Sequence, residues 1–206
     1  MAVLRLQSGK LLLHSPCDMD EALAAAVSEL GEVAHIVAPG TYHYLHIPSC
    51  QRAFPRANTY ICPGIERKCP ELSFDWLLGD RPHPEWDGEL DQVFVRGARF
   101  LSEVAFFDRV SRTLLLVDLV ENIGDETPGT DWVLRLWWKL VLRMWNRALP
   151  APEYQLGWGK KKVVASALSR ILAWDFERVV IAHGDLIEHD AKEVVRRAWA
   201  KPLRST

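Results

Sequence analysis

Three histidines and two carboxylates stand beside apolar runs of this chain, and their side chains are of the types that hold metal ions. His43 and His46 follow the apolar run at 35–38. Three further residues each stand at the start or the end of another apolar run, namely Glu103, Asp118 and His183. Imidazole nitrogens and carboxylate oxygens are ligands of zinc, iron and manganese. Each residue alone fits a turn or a solvated surface better than a metal site, but the five together predict a site for one or two divalent metal ions.

The elements that must position these side chains are short strands. Runs of β-prone and apolar residues predict strands at 10–13, 35–38, 59–62, 93–96, 103–107, 113–118 and 178–182. Helical patterns cover 18–30, 165–174 and 187–200. Strands in both halves, with helices between and after them, predict an α+β fold of two packed sheets or one large mixed sheet, covered by helices.

Length and charge narrow the class of protein. The 206 residues fit a single domain over 1–206. The formal net charge of -2 argues against a nucleic-acid-binding protein, which needs a basic face. The cysteines lack CxxC spacing, so they predict neither a zinc knuckle nor a disulfide framework. With no apolar run long enough to span a bilayer, the expectation is a cytoplasmic protein that acts on a small-molecule substrate.

The order of these segments resembles that of the metallo-β-lactamase superfamily. The family's first motif is His-x-His-x-Asp-His after a strand, and the matching positions here are Thr41, His43, Leu45 and His46. Three segments of this chain resemble the family's later motifs: 103–106, the apolar strand that ends in Asp118, and the apolar strand that leads into His183-Gly184. More narrowly, the chain is similar to the family DUF4336, through the landmarks Pro39 to His43, Phe54-Pro55, Pro63-Gly64 and His183-Gly184.

The resemblance implies a fold and a ligand set. The implied fold is α+β, a four-layer αβ/βα metallo-β-lactamase-like sandwich. In the implied ligand set, His43 and Glu103 bind one ion, His46 and His183 bind the other, and Asp118 bridges them. His14, at the end of a predicted strand, and Asp185 are further candidates, either as ligands or as residues that orient ligands by hydrogen bonds.

This reduced, carboxylate-containing site leaves three functions open. The first is a metal-dependent hydrolase of unknown substrate, in which metal-bound water is the nucleophile. The second is a di-iron or manganese oxidoreductase, because a carboxylate at Glu103 favours iron or manganese over zinc, and Leu45 replaces the family's Asp. The third is a non-catalytic binding protein with a degenerate metal site.

A tryptophan-rich amphipathic helix is predicted at about 131–149. Basic residues recur there at every fourth position, at Arg135, Lys139, Arg143 and Arg147, between tryptophans and leucines. Such a helix is compatible with binding to a membrane surface or with self-association. The preferred interpretation is a helix laid across the sheet, with its charged ends extended to water.

Overall fold

The computed structural model describes residues 1–204, and their Cα positions group into two compact units. Unit 1 comprises Met1–Phe94 with Ser102–Val104. Unit 2 comprises Val95–Leu101 and the described residues from Ala105 onward. The single domain expected over 1–206 stays a prediction.

Unit 1 contains a five-stranded sheet in the order β1-β2-β3-β4-β5. Its strands are β1 (Ala2–Arg5), β2 (Leu11–His14), β3 (Val33–Ala38), β4 (Asn58–Ile61) and β5 (Trp76–Leu77). Its helices are α1 (Glu21–Leu30), α2 (Ile47–Ala53) and α3 (Ile65–Lys68). A further strand, β6 (Leu90–Val95), belongs to this unit except for its last residue, Val95. β1 and β2 form an antiparallel hairpin, whereas β2 to β5 run parallel. All four residues of β2 are buried, which fits a central strand covered on both faces.

Unit 2 contains strands β7 to β9. Its elements are β7 (Glu103–Asp108, whose first two residues belong to unit 1), β8 (Thr113–Leu115), α4 (Trp132–Leu136), a π-helical turn (Trp137–Leu142), α5 (Pro152–Gly157), α6 (Lys161–Ala173), β9 (Arg178–Val180), α7 (Ala191–Ala198) and α8 (Ala200–Leu203). β8 pairs antiparallel with β7 and parallel with β9. The expected mixture of strands and helices with two sheets is therefore confirmed.

The tryptophan-rich helix is shorter than the predicted 131–149, because its α-helical and π-helical turns end at Leu142. Arg143 and Asn146 both have left-handed backbone conformations, with φ of 56° and 55°. The side chain of Asp125 accepts hydrogen bonds from Trp145 Nε1 at 3.1 Å and Asn146 Nδ2 at 2.7 Å. These contacts with a distant residue replace the helical hydrogen bonds that the local pattern favours.

The helix is also not buried against a sheet, which corrects the preferred interpretation. Among the residues of α4 and the π-helical turn, none is buried. Within the described residues, no helix combines the length and the apolar composition that crossing a bilayer requires.

Candidate metal centre

Two candidate ligands of unit 1 follow the carboxyl ends of neighbouring parallel strands. His14 ends β2, and His43 lies in the turn that follows β3. The hydroxyl of Ser15 and Nδ1 of His43 are 2.7 Å apart, within hydrogen-bonding distance. Ser15 is itself held in place because its backbone N–H donates to the carbonyl oxygen of Val37 at 2.9 Å. The bond at Nδ1 fixes the orientation of the His43 ring, as hydrogen bonds do for histidines that ligate metals.

His14 is buried and neutral. Its exposed fraction is 3%. The pKa of His14 is lowered to about 3, mainly by burial, with smaller contributions in the same direction from His43 and the N-terminus. A neutral imidazole retains a lone pair, so His14 has the protonation state that a metal ligand or a hydrogen-bond acceptor needs.

Glu103 is the most deeply buried carboxylate of the candidate set, with an exposed fraction of 1%. Its backbone bridges that of Gly40, and the next residue, Val104, donates to the carbonyl oxygen of Pro39 at 2.7 Å. These contacts fix Glu103 beside the chain that leaves β3. The negative charge of Glu103 adds to burial in raising the pKa of the Cys62 thiol.

The other positions of the first motif have different roles. The side chain of His46 is 48% exposed, and its Nδ1 lies 3.9 Å from a carboxylate oxygen of Asp18. Leu45 is 70% exposed. Thr41 is buried, and its hydroxyl oxygen accepts a hydrogen bond from the backbone of Ser102 at 3.2 Å. Of the motif's side chains in unit 1, His43 therefore lies with the buried polar groups, whereas His46 lies at the surface.

In unit 2, Asp118 and His183 form a pair. Nε2 of His183 lies 3.4 Å from Oδ1 of Asp118. The hydrogen bond with Asp118 raises the pKa of His183, although burial acts in the opposite direction. The two residues come just after β8 and β9, which are adjacent and parallel, so their following loops lie at the same edge of the sheet.

Gly184 gives the chain the conformation that follows His183. Its φ is +102°, and a Cβ there would lie 2.1 Å from the carbonyl oxygen of Asn122. Asn122 donates from its backbone to the carbonyl oxygen of His183 at 3.0 Å and accepts from the backbone of Asp185 at 2.8 Å. Only glycine permits this close approach, so the His183-Gly184 pair has a physical basis.

Asp185, a candidate for a supporting role, is bound by a neighbouring hydroxyl. Thr127 donates to its Oδ2 at 2.7 Å. The bond ties the loop after His183 to the segment before α4.

Glu121 is a further acidic group that the motifs did not indicate. Its exposed fraction is 8%, and its Oε2 has no hydrogen-bond partner among the described residues. Burial raises the pKa of Glu121 to about 7; Asp118 and Glu153 also raise this pKa, whereas His183 lowers it. The signal in the sequence is a carboxylate within the otherwise apolar run that surrounds Asp118, where a solvated charge is not expected.

Both units contain side chains whose nitrogen or oxygen atoms can bind a metal ion. Unit 1 holds His14, His43 and Glu103, and unit 2 holds Asp118, Glu121 and His183. A buried carboxylate oxygen without a donor is unfavourable unless a cation or a proton compensates for it.

The family model described as a domain of unknown function (DUF4336) matches residues 1–136. The chain belongs to this family. The match to DUF4336 covers the first motif, Glu103 and Asp118, and ends before His183. No curated protein matches the sequence.

Comparison with solved structures shows which fold this DUF4336 protein has. A metallo-β-lactamase from Hirschia baltica matches with a TM-score of 0.63 and 11% identity, over 98% of this chain and 84% of that one. A metallo-β-lactamase from Pontibacter korlensis matches with a TM-score of 0.61 and 12% identity, over 96% and 85%. The metal-soaked Flv1 flavodiiron core from Synechocystis matches with a TM-score of 0.58 and 15% identity, over 95% of this chain and 50% of that one. The DUF4336 chain thus has the metallo-β-lactamase fold that its sequence predicts.

Proposed function

We propose that this protein is a metal-dependent hydrolase whose metal ligands are His43, Glu103, Asp118 and His183. The observation that carries the proposal is the pairing of Asp118 with His183 at 3.4 Å, at the ends of adjacent strands. His46 is left out because its ring faces Asp18 at the surface.

The donor set fits a divalent cation. Burying a carboxylate without a partner costs several kcal/mol by general estimates, and a nearby cation offsets that cost. Glu121 Oε2 is such an oxygen, and Asp118 is a second buried carboxylate close in the chain. A divalent ion held by these residues would act as a Lewis acid that activates water and polarises a carbonyl or phosphoryl oxygen.

The chain's own residues would orient the ligands and move protons. Ser15 holds Nδ1 of His43, and Asp118 holds Nε2 of His183, so both rings are constrained before a substrate arrives. Burial raises the pKa of Glu121 to about 7 when no metal ion is bound, and a bound cation would favour the ionised form that accepts a proton. The side chain of His183 is half-exposed, so a small-molecule substrate could reach this ligand.

A second candidate function is a di-iron or manganese oxidoreductase. Glu103 stands where the metallo-β-lactamase pattern has a histidine, and carboxylate ligands favour iron and manganese over zinc. Glu121 is another buried carboxylate whose oxygens could bind iron or manganese.

Metal-specific reconstitution tests the proposal. Metal-free protein is loaded separately with zinc, manganese and ferrous iron, and assayed against esters, thioesters, lactams and phosphodiesters, with Asp118→Asn as the control variant. Hydrolysis by wild type that the variant lacks supports the hydrolase. Oxygen consumption and visible absorption only with iron support the oxidoreductase instead, and a loaded protein without any turnover supports the non-catalytic alternative.

A further inference from the structure

An exposed apolar surface lies in unit 2, and none of its residues is a proposed metal ligand. It begins with the Trp-rich segment, Trp132–Leu142. Six apolar side chains of this segment are between 50% and 76% exposed: Trp132, Val133, Leu136, Trp137, Leu140 and Val141. A contiguous set of large apolar side chains in water is costly, and it marks a surface that binds something.

The basic side chains of the segment are held apart from its apolar face. The guanidinium of Arg135 and the ammonium of Lys139 lie 5.1 Å and 5.2 Å from the ring centre of Trp145. Trp145 is itself buried and bound to Asp125. The Trp-rich segment is therefore amphipathic, with cations on one side and exposed Trp, Leu and Val on the other.

A basic groove begins where the segment ends. Its volume is about 460 Å³, and Leu142, the last residue of the π-helical turn, is part of its lining. Five cationic residues line it, namely Arg143, Arg147, Arg197, Lys201 and Arg204. Among the described residues, none that lines the groove is acidic, and only Arg197 of the five forms an ion pair, with Glu193.

We propose that the Trp-rich segment and the basic groove bind together to the surface of an anionic lipid bilayer. Tryptophan and leucine on one face of a short helix partition into the boundary between headgroups and acyl chains. Adjacent lysines and arginines are attracted to anionic headgroups, each contributing about 1 kcal/mol near such a surface. The chain as a whole carries a net charge of -2, so the positive charge is a local property of this surface.

Charge favours a bilayer over a second copy of the chain. Two copies that met through this face would bring the same positive groups toward one another, whereas an anionic lipid surface supplies the missing negative charge. The proposal is independent of the metal centre, because none of its residues is a proposed ligand.

Vesicle co-sedimentation of the full chain tests the proposal. The vesicles are phosphatidylcholine alone and phosphatidylcholine mixed with phosphatidylglycerol, each at low and at high salt. Wild type is expected to bind the mixed vesicles at least about tenfold more tightly, and this preference should weaken with salt. Binding should also shift tryptophan fluorescence to shorter wavelength, since Trp132 and Trp137 would leave water.

Matched variants separate the two parts of the surface. Arg147→Gln with Lys201→Gln should lower binding to mixed vesicles by roughly tenfold or more, whereas Lys161→Gln with Lys162→Gln, the same charge change at exposed positions of α6, should leave it unchanged. Trp132→Ala with Leu140→Ala should abolish the fluorescence shift, whereas Val110→Ala, which is 73% exposed elsewhere, should not. Thermal unfolding of each variant checks that it is folded.

Three results would overturn the proposal. One is failure of wild type to bind either kind of vesicle. Another is equal binding by the double variant Arg147→Gln with Lys201→Gln and the control double variant Lys161→Gln with Lys162→Gln. The last is a wild-type dimer that Trp132→Ala with Leu140→Ala dissociates without any vesicle binding, which would assign the surface to a second copy.

Discussion

Nε2 of His183 lies 3.4 Å from Oδ1 of Asp118, although 64 residues lie between them in the chain. Each residue follows a short strand, and the parallel pairing of β8 with β9 sets both loops at one edge of the sheet. The metal-ligand hypothesis therefore rests on a specific contact in unit 2, in addition to the order of motifs along the chain.

Replacing Gly184 by alanine should destabilise the protein strongly. A Cβ at Gly184 would lie 2.1 Å from the carbonyl oxygen of Asn122, in a backbone conformation with φ of +102°. We expect a loss of roughly 2–4 kcal/mol in the free energy of unfolding, measured by chemical denaturation. Gly129→Ala is the control, because its φ is also positive at +74° but nothing lies within 4 Å. Equal losses in the two variants would contradict the close approach.

Replacing Ser15 by glycine should weaken metal binding without unfolding the protein. The change removes the hydroxyl that lies 2.7 Å from Nδ1 of His43. It also relieves the positive φ of 52° at Ser15, which glycine tolerates better than serine. We expect metal affinity to fall by about 10- to 100-fold, measured by competition with a chromophoric chelator. Unchanged affinity in a stable Ser15→Gly variant would show that this hydrogen bond does not support a ligand.

Replacing Glu121 by glutamine should stabilise the metal-free protein above neutral pH. Because the pKa of Glu121 is raised to about 7 from 4.5, its protonated form contributes stability that is present below pH 4.5 and lost as pH rises through about 7. Glutamine stays neutral, so we expect a gain of roughly 1–3 kcal/mol in the unfolding free energy at alkaline pH. Glu126→Gln, at an exposed position, is the control. A destabilised Glu121→Gln variant would show that the carboxylate is already well compensated without metal.

Acid should destabilise unit 1 through His35. This side chain is 1% exposed, and its Nδ1 lies 3.2 Å from the hydroxyl of Tyr60. Burial lowers the pKa of His35 from 6.5 to about 4, with a partial opposing effect from Glu85. Its neutral form contributes stability that is present above pH 6.5 and lost as pH falls through about 4, up to about 3 kcal/mol.

The variant His35→Gln should lose that part of the pH dependence while it keeps a hydrogen-bonding side chain beside Tyr60. Denaturant unfolding of wild type and variant between pH 4 and pH 7 measures the difference. His189→Gln, at an exposed position, should follow wild type. Parallel curves for wild type and His35→Gln would contradict a buried neutral histidine.

The sequence predicts much of the fold because polar residues interrupt apolar runs where strands end. His14, His43, Asp118 and His183 all stand at such points, and each follows or ends a strand as expected. His46 shows the limit of this reasoning. The chain before α2 forms turns, so a spacing of three residues does not place His46 beside His43.

Contacts between distant residues account for what the sequence did not predict. The Trp-rich helix ends early because Trp145 and Asn146 form hydrogen bonds with Asp125, which lies 20 and 21 residues earlier in the chain. Helical periodicity reports only on neighbours within a few residues, so it could not predict these contacts. The burial of Glu121 likewise depends on tertiary packing, since local pattern alone cannot distinguish a buried carboxylate from a solvated one.

The metal content of the purified, untagged protein tests the central claim most directly. Elemental analysis compares wild type with His43→Ala, Asp118→Ala and His183→Ala, and with His83→Ala and His189→Ala as controls outside the proposed ligand set. We predict about one or two equivalents of zinc, iron or manganese in wild type and in both controls, and a large loss in the three ligand variants. Equal metal content in all six proteins, or no metal in wild type even after reconstitution, would contradict the proposed metal centre.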